Sequence, residues 1–172
     1  EFNYAKLNNY AVDFVEEEYL LFLNNDIVIE SRFAITTLLK THCFYNAIIT
    51  GSKLLYPSGK IQHNGLSSTM EKHIAINSPF SRHFTDLNHE FHPDQYLHPW
   101  ERTHECSAVT AACLIMKKEE FLRIDGFDED FKVAYNDVDL CFRATKEYHQ
   151  RPIICSTEAK IYHLESESRG DD

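Results

Sequence analysis

Tyr19-Leu20-Leu21-Phe22-Leu23 is an uninterrupted apolar run that breaks at Asn24-Asn25-Asp26. A run this short has strand length, and without polar alternation it needs cover on both faces, as strands of a parallel sheet have. That one segment predicts an α/β layering. It also predicts where a ligand would bind, because polar groups at the C-terminal end of such a strand sit at the sheet edge that open α/β sheets use.

The flanking segments extend the pattern. Tyr4, Leu7, Ala11 and Val12 recur at helical spacing across 3–12, and Glu16-Glu17-Glu18 follow as a solvated link. Ser31 reads as the N-cap of a helix through RFAITTLLKTH, and AIITGSKLLY reads as a strand with Gly51 as a bulge. Strand, helix and strand make a βαβ unit. Pro57-Ser58-Gly59 predicts a hairpin. Residues 67–105 lack sustained periodicity and exceed the usual length of a structureless connection, so they form a functional loop or conceal short elements. Farther on, Ala108, Ala111 and Ala112 leave room for a backbone or ligand to approach. Lys118 to Ile124 reads as a short helix stopped by Gly126, NDVDLCFRATKEYH as a helix capped by Asn136, and 152–155 and 160–163 as two short strands.

Composition narrows the function classes. A chain of 172 residues with 43% hydrophobic and 13% aromatic residues can bury a core as one domain, 1–172. Its formal charge of −10 repels phosphate backbones, which argues against broad nucleic-acid binding. No apolar run approaches the roughly 18–20 residues of a membrane span, and the opening Glu1-Phe2-Asn3 has no signal-peptide character, so a soluble, unsecreted chain is expected. Five scattered cysteines without a C-x-x-C pair predict free thiols in a reducing compartment. An opening without Met, inside what reads as a helix, predicts a piece of something longer.

Three groups of residues can carry chemistry. Asn24-Asn25-Asp26 offers a carboxylate and amide oxygens to a hard cation such as Mg²⁺ or Mn²⁺, although such triplets also simply start turns. Asn136-Asp137-Val138-Asp139 reads as a capping box, with Asn136 and Asp139 reciprocating at a helix start. That reading leaves Asp137 unexplained, and a carboxylate at a helix start beside a cleft is a general-base candidate. His163 ends an apolar strand as a structural histidine or a ligand. His83, His89, His92, His98 and His104 match no zinc spacing and read as loop residues. No Walker loop, G-x-S-x-G elbow or G-x-G-x-x-G is present.

Taken in order, FNYAKLNNYAV, EYLLFLNNDIVI, GSKLLYPSGKIQHNG, SAVTAACLIMKKEEFLRIDGFDEDFKVAYNDVDLCFRA and IYHLESESRG resemble consecutive blocks of the family 2 glycosyltransferases of the GT-A fold. The likeness is greatest to bacterial rhamnosyltransferase-type enzymes of surface-polysaccharide synthesis and covers nearly the whole chain. It implies an α/β, partial GT-A (Rossmann-like) fold: a mixed, mostly parallel sheet flanked by helices. The chain would be the C-terminal two-thirds of the catalytic domain, without the first strands that read the nucleotide base. It implies an inverting transfer from a nucleotide-sugar donor, a UDP- or dTDP-sugar, to a hydroxyl of a glycan or lipid-linked acceptor.

By the same resemblance Asn24-Asn25-Asp26 stands at the family's D-x-D motif, with Asn24 replacing the first acid and Asp26 ligating the divalent ion, Mg²⁺ or Mn²⁺. Asp137 falls at the catalytic base and Asn136 at the preceding Glu. His163 matches a C-terminal His that reaches the metal or the diphosphate. Arg169 is placed as a phosphate contact, and Asn8 and Asn9 near the nucleotide. The implied setting is cytoplasmic, at the inner face of a bacterial membrane. Two rival readings remain, a non-catalytic carbohydrate-recognition or assembly module and a metal-dependent hydrolase using Asp26, Asp137 and His163.

Overall fold

The computed structural model describes residues 2–67, 82–83 and 102–164. Among them run, in chain order, α1 (Tyr4–Val12), β1 (Tyr19–Leu23), β2 (Ile27–Ile29), α2 (Ala34–Phe44), β3 (Ile49–Leu55), β4 (Ile61–His63), β5 (Leu66–Ser67), β6 (Arg82–His83), β7 (His104–Cys106), β8 (Cys113–Lys117), α3 (Lys118–Arg123), α4 (Asn136–Glu147) and β9 (Ile153–His163). The main sheet has the order β1-β8-β3-β9-β2, with β4 added to β3 and β7 to β9.

β8 runs antiparallel to both β1 and β3, so β1 and β3 point the same way with a reversed strand between them. The predicted βαβ unit is therefore present but split. β9 pairs with β3 in parallel, whereas β2, β4 and β7 join antiparallel. The sheet is mixed, as expected, but among the described residues its pairings are mostly antiparallel, which corrects the mostly parallel expectation. The reason is physical: an apolar run reports cover on both faces, which the helices supply whichever way the neighbouring strand runs.

That cover is visible in the alternation. Leu114 and Met116 of β8 join Leu20, Phe22, Phe121, Phe127 and Leu140 on the face carrying α1, α3 and α4. Cys113 and Ile115 point the other way, to Leu38, Leu54 and Ile161 beneath α2. Consecutive residues of one strand thus feed two separate cores.

Several local readings shift. Ser31 does not cap α2; its Oγ accepts from the Phe33 N–H at 3.2 Å, a turn that precedes the helix. Asn136 is the first residue inside α4, and the capping position falls to Tyr135 in the left-handed region at φ 67°. Asn136 instead donates to the Phe131 carbonyl, and Asp139 pairs with Arg143 at 2.7 Å, so no capping box forms. The two short C-terminal strands are one strand, β9. The bulge of β3 falls after Gly51, between Ser52 and Leu54. Gly51 is needed for another reason: a Cβ there would lie 2.5 Å from Cβ of buried Val109. The Pro57–Gly59 hairpin forms as predicted, with Gly59 at φ 81°.

Candidate functional site

β1, β3 and β9 end at the same edge of the sheet, since β3 is parallel to β9 and shares its direction with β1. The turn after β1 brings Asn24 and Asp26 to that edge, and the last residue of β9 is His163. The backbone fixes this meeting twice. The Asn24 N–H donates to the Ala112 carbonyl at 3.0 Å, and the Leu164 N–H donates to the Asp26 carbonyl at 2.9 Å.

Side chains then converge. His163 Nε2 lies 3.1 Å from Asp26 Oδ1 and 3.4 Å from Asn24 Nδ2. On the other side of the ring, Nδ1 lies 3.0 Å from Gln62 Oε1. A carbonyl oxygen only accepts, so the hydrogen bond to Gln62 takes a proton on Nδ1. Gln62 sits on β4, which the hairpin folds back beside the end of β3. Sequence reading missed it, because a glutamine in a hairpin strand belongs to no ligand pattern.

Asp137 lies in the first turn of α4. Its Oδ2 accepts from the Ala111 N–H at 3.2 Å and its Oδ1 from the Val138 N–H at 2.8 Å. The segment Thr110-Ala111-Ala112 is thus a strap between the two groups, holding Asn24 through one residue and Asp137 through the residue before it. His63, the neighbour of Gln62, steadies the strap by accepting from the Thr110 N–H at 3.3 Å. Tyr4 of α1 donates to the Ala111 carbonyl at 3.2 Å. Burial, helped by the nearby Asp137 charge, pushes the Tyr4 phenol above its usual range, which keeps it a donor.

Comparison with known proteins places this edge in context. No family model matches the chain. Two proteins match it over 99% of its length: the O-antigen biosynthesis protein RfbC of Myxococcus xanthus at 33% identity and the uncharacterized protein y4gI of Sinorhizobium fredii at 30%. The chain spans only 13% and 18% of the length of those relatives. Among solved structures it is similar to GalNAc-T7 with UDP, GalNAc and Mn²⁺, with a TM-score of 0.63 and 8% identity over 94% of this chain and 30% of that one. The fold is that of a GT-A glycosyltransferase.

Within this GT-A fold the other sequence-predicted residues divide. Asn25 is exposed in the turn between Asn24 and Asp26. Asn8 donates to the Tyr4 carbonyl within α1 at 2.8 Å. Asn9 is engaged structurally: its amide donates to the Phe127 carbonyl at 2.8 Å while its oxygen accepts from the Phe127 N–H at 2.9 Å, pinning α1 to the segment that precedes α4. Arg169 lies outside the described residues, as do His89, His92 and His98.

A divalent cation suits the Asp26–His163 pair. Asp26 Oδ1 is buried and has no hydrogen-bond partner, an expensive condition for a carboxylate oxygen in the absence of a positive neighbour. Asp26 Oδ1 and His163 Nε2 lie 3.1 Å apart, an ion pair when the ring is protonated and two lone-pair atoms when its one proton is on Nδ1. Adjacent ligands of an octahedral cation with bonds of about 2.1 Å are separated by about 3 Å, so the spacing fits. No third His, Cys, Asp or Glu joins the pair among the described residues. Also among the described residues, no helix is long and apolar enough to cross a membrane.

Proposed function

We propose that this chain is the catalytic part of an inverting glycosyltransferase of polysaccharide biosynthesis, which moves a hexosyl or rhamnosyl group from a UDP- or dTDP-sugar to a hydroxyl of a glycan or lipid-linked acceptor. The observation that carries the reading is the strap, which ties the turn bearing Asp26 and the carboxylate of Asp137 to neighbouring peptide units. The GT-A fold and the likeness to an O-antigen biosynthesis protein support the substrate class.

In this mechanism Asp26 and His163 would hold a divalent cation, Mg²⁺ or Mn²⁺, and Asn24 and Asn25 of the same turn would offer amide oxygens. When bound, the cation supplies neutralising charge for the diphosphate that departs. Asp137 accepts the proton of the acceptor hydroxyl as its oxygen attacks the sugar C1 from the side opposite the diphosphate. Each of its carboxylate oxygens already takes one backbone N–H, which fixes the orientation and leaves lone pairs for that proton. Ala111 holds the base and Tyr4 holds Ala111, so the base is aimed by packed backbone rather than by a flexible neighbour. The family resemblance assigns Asn8 to the nucleotide side and Arg169, outside the described residues, to the phosphates. A single displacement inverts the anomeric centre.

The test has two arms. Isothermal titration of Mn²⁺ should detect a site in the wild-type protein that Asp26→Ala loses, and equal affinities would reject the metal assignment. Product NMR should find the anomeric configuration inverted; retention would remove Asp137 from the role of base.

A further inference from the structure

We infer that Gln62 is a positioning residue that selects the metal-binding tautomer of His163. This rests on the assignment of Asp26 and His163 as cation ligands, but the role of Gln62 can be measured without that assignment.

A neutral imidazole carries its proton on either nitrogen, and only the bare one can bind a metal. In an unconstrained ring the proton is divided between them, and every molecule with the proton on Nε2 must pay for moving it before Nε2 ligates. Gln62 Oε1 lies 3.0 Å from Nδ1, with both side chains nearly fully buried. Away from water, an acceptor facing an unprotonated Nδ1 would leave two lone pairs opposed, so burial makes the preference strong. The result is a bare Nε2 that lies 3.1 Å from Asp26 Oδ1 and accepts from Asn24 Nδ2 at 3.4 Å.

The placement follows from the fold. β4 reaches the site only because Pro57-Ser58-Gly59 reverses the chain after β3, putting Gln62 on β4 against the neighbouring end of β9. The next residue, His63, steadies the strap that anchors Asp137. One short strand therefore supports both sides of the site through consecutive side chains.

Imidazole ¹⁵N NMR of the metal-free protein in mildly alkaline buffer, with His163→Gln used to assign the ring, tests the inference. The expected wild-type spectrum has Nδ1 protonated and Nε2 bare. In Gln62→Leu the proton should shift toward Nε2, and the Mn²⁺ dissociation constant should rise about 10- to 100-fold, the usual effect of losing such a partner. Gln62→Glu keeps the acceptor and should restore both. A wild-type ring with its proton on Nε2 overturns the inference and requires no variant to fold. A folded Gln62→Leu protein that binds Mn²⁺ as wild type does, while Asp26→Ala does not, also overturns it. If wild type and Asp26→Ala take up Mn²⁺ alike, the cation assignment is what fails, and the tautomer measurement still decides what Gln62 does.

Discussion

His42 makes folding sensitive to acid in a way that can be calculated. The ring is buried beneath α2, with Nδ1 3.1 Å from Thr50 Oγ1 and Nε2 without a partner. Burial lowers its pKa from 6.5 to about 4, helped by the Arg151 and Lys117 cations. A proton added to the unfolded chain at about 6.5 is therefore refused by the folded one until about 4. Across that window the unfolded state binds more protons, so stability falls as pH falls, by up to about 1.4 kcal/mol per unit. Integrated from neutrality to pH 4, the loss is about 3 kcal/mol, a large fraction of the 5–15 kcal/mol typical of a folded domain. His42→Gln keeps an amide within reach of Thr50 but cannot take a proton. Urea unfolding of both proteins from pH 7 to pH 4 should show wild type losing about 3 kcal/mol more than the variant. Curves that stay parallel to within about 0.5 kcal/mol would refute the reasoning, because carboxylate titration is common to both proteins.

Gly51→Ala should destabilise by about 1–3 kcal/mol or more, since the new Cβ would sit 2.5 Å from Val109 Cβ. The new Cβ would also lie 2.8 and 2.9 Å from the Val109 methyls, so in a double-mutant cycle Val109→Gly should relieve the clash more than Val109→Ala does; equal relief would contradict the account. Asn9→Ala removes both partners of the Phe127 peptide groups, and calorimetry should register a loss of about 1–3 kcal/mol. Asp137→Asn should lower turnover by about 10²–10⁴-fold with donor affinity largely retained, and steady-state kinetics that instead showed only a raised KM would deny it the role of base.

Much of the frame was legible because it rests on local rules. The apolar Tyr19–Leu23 run, the helix of Tyr4–Val12 and the Pro57–Gly59 turn each announce themselves in short stretches, and all three appear where expected. What stayed hidden depends on contacts across the chain. The reversed β8 has the same apolar signature whichever way it points. Asn136 looks like a cap by type, yet the chain turns at Tyr135 and buries Asn136 against Phe131. Asn24, Asp26 and His163, far apart in the sequence, lie together at the sheet edge, and Gln62 joins them only through the placement of β4 and β9 against β3.

The strap carries a further consequence. Adjacent peptide units of Thr110-Ala111-Ala112 are anchored to the turn after β1 on one bank and to the first turn of α4 on the other. A shove on one bank is passed to the other along a lever only a residue long. The turn after β1 and the start of α4 cannot be displaced separately through that hinge point. The alanines between the two anchors are buried and leave little room for a larger side chain.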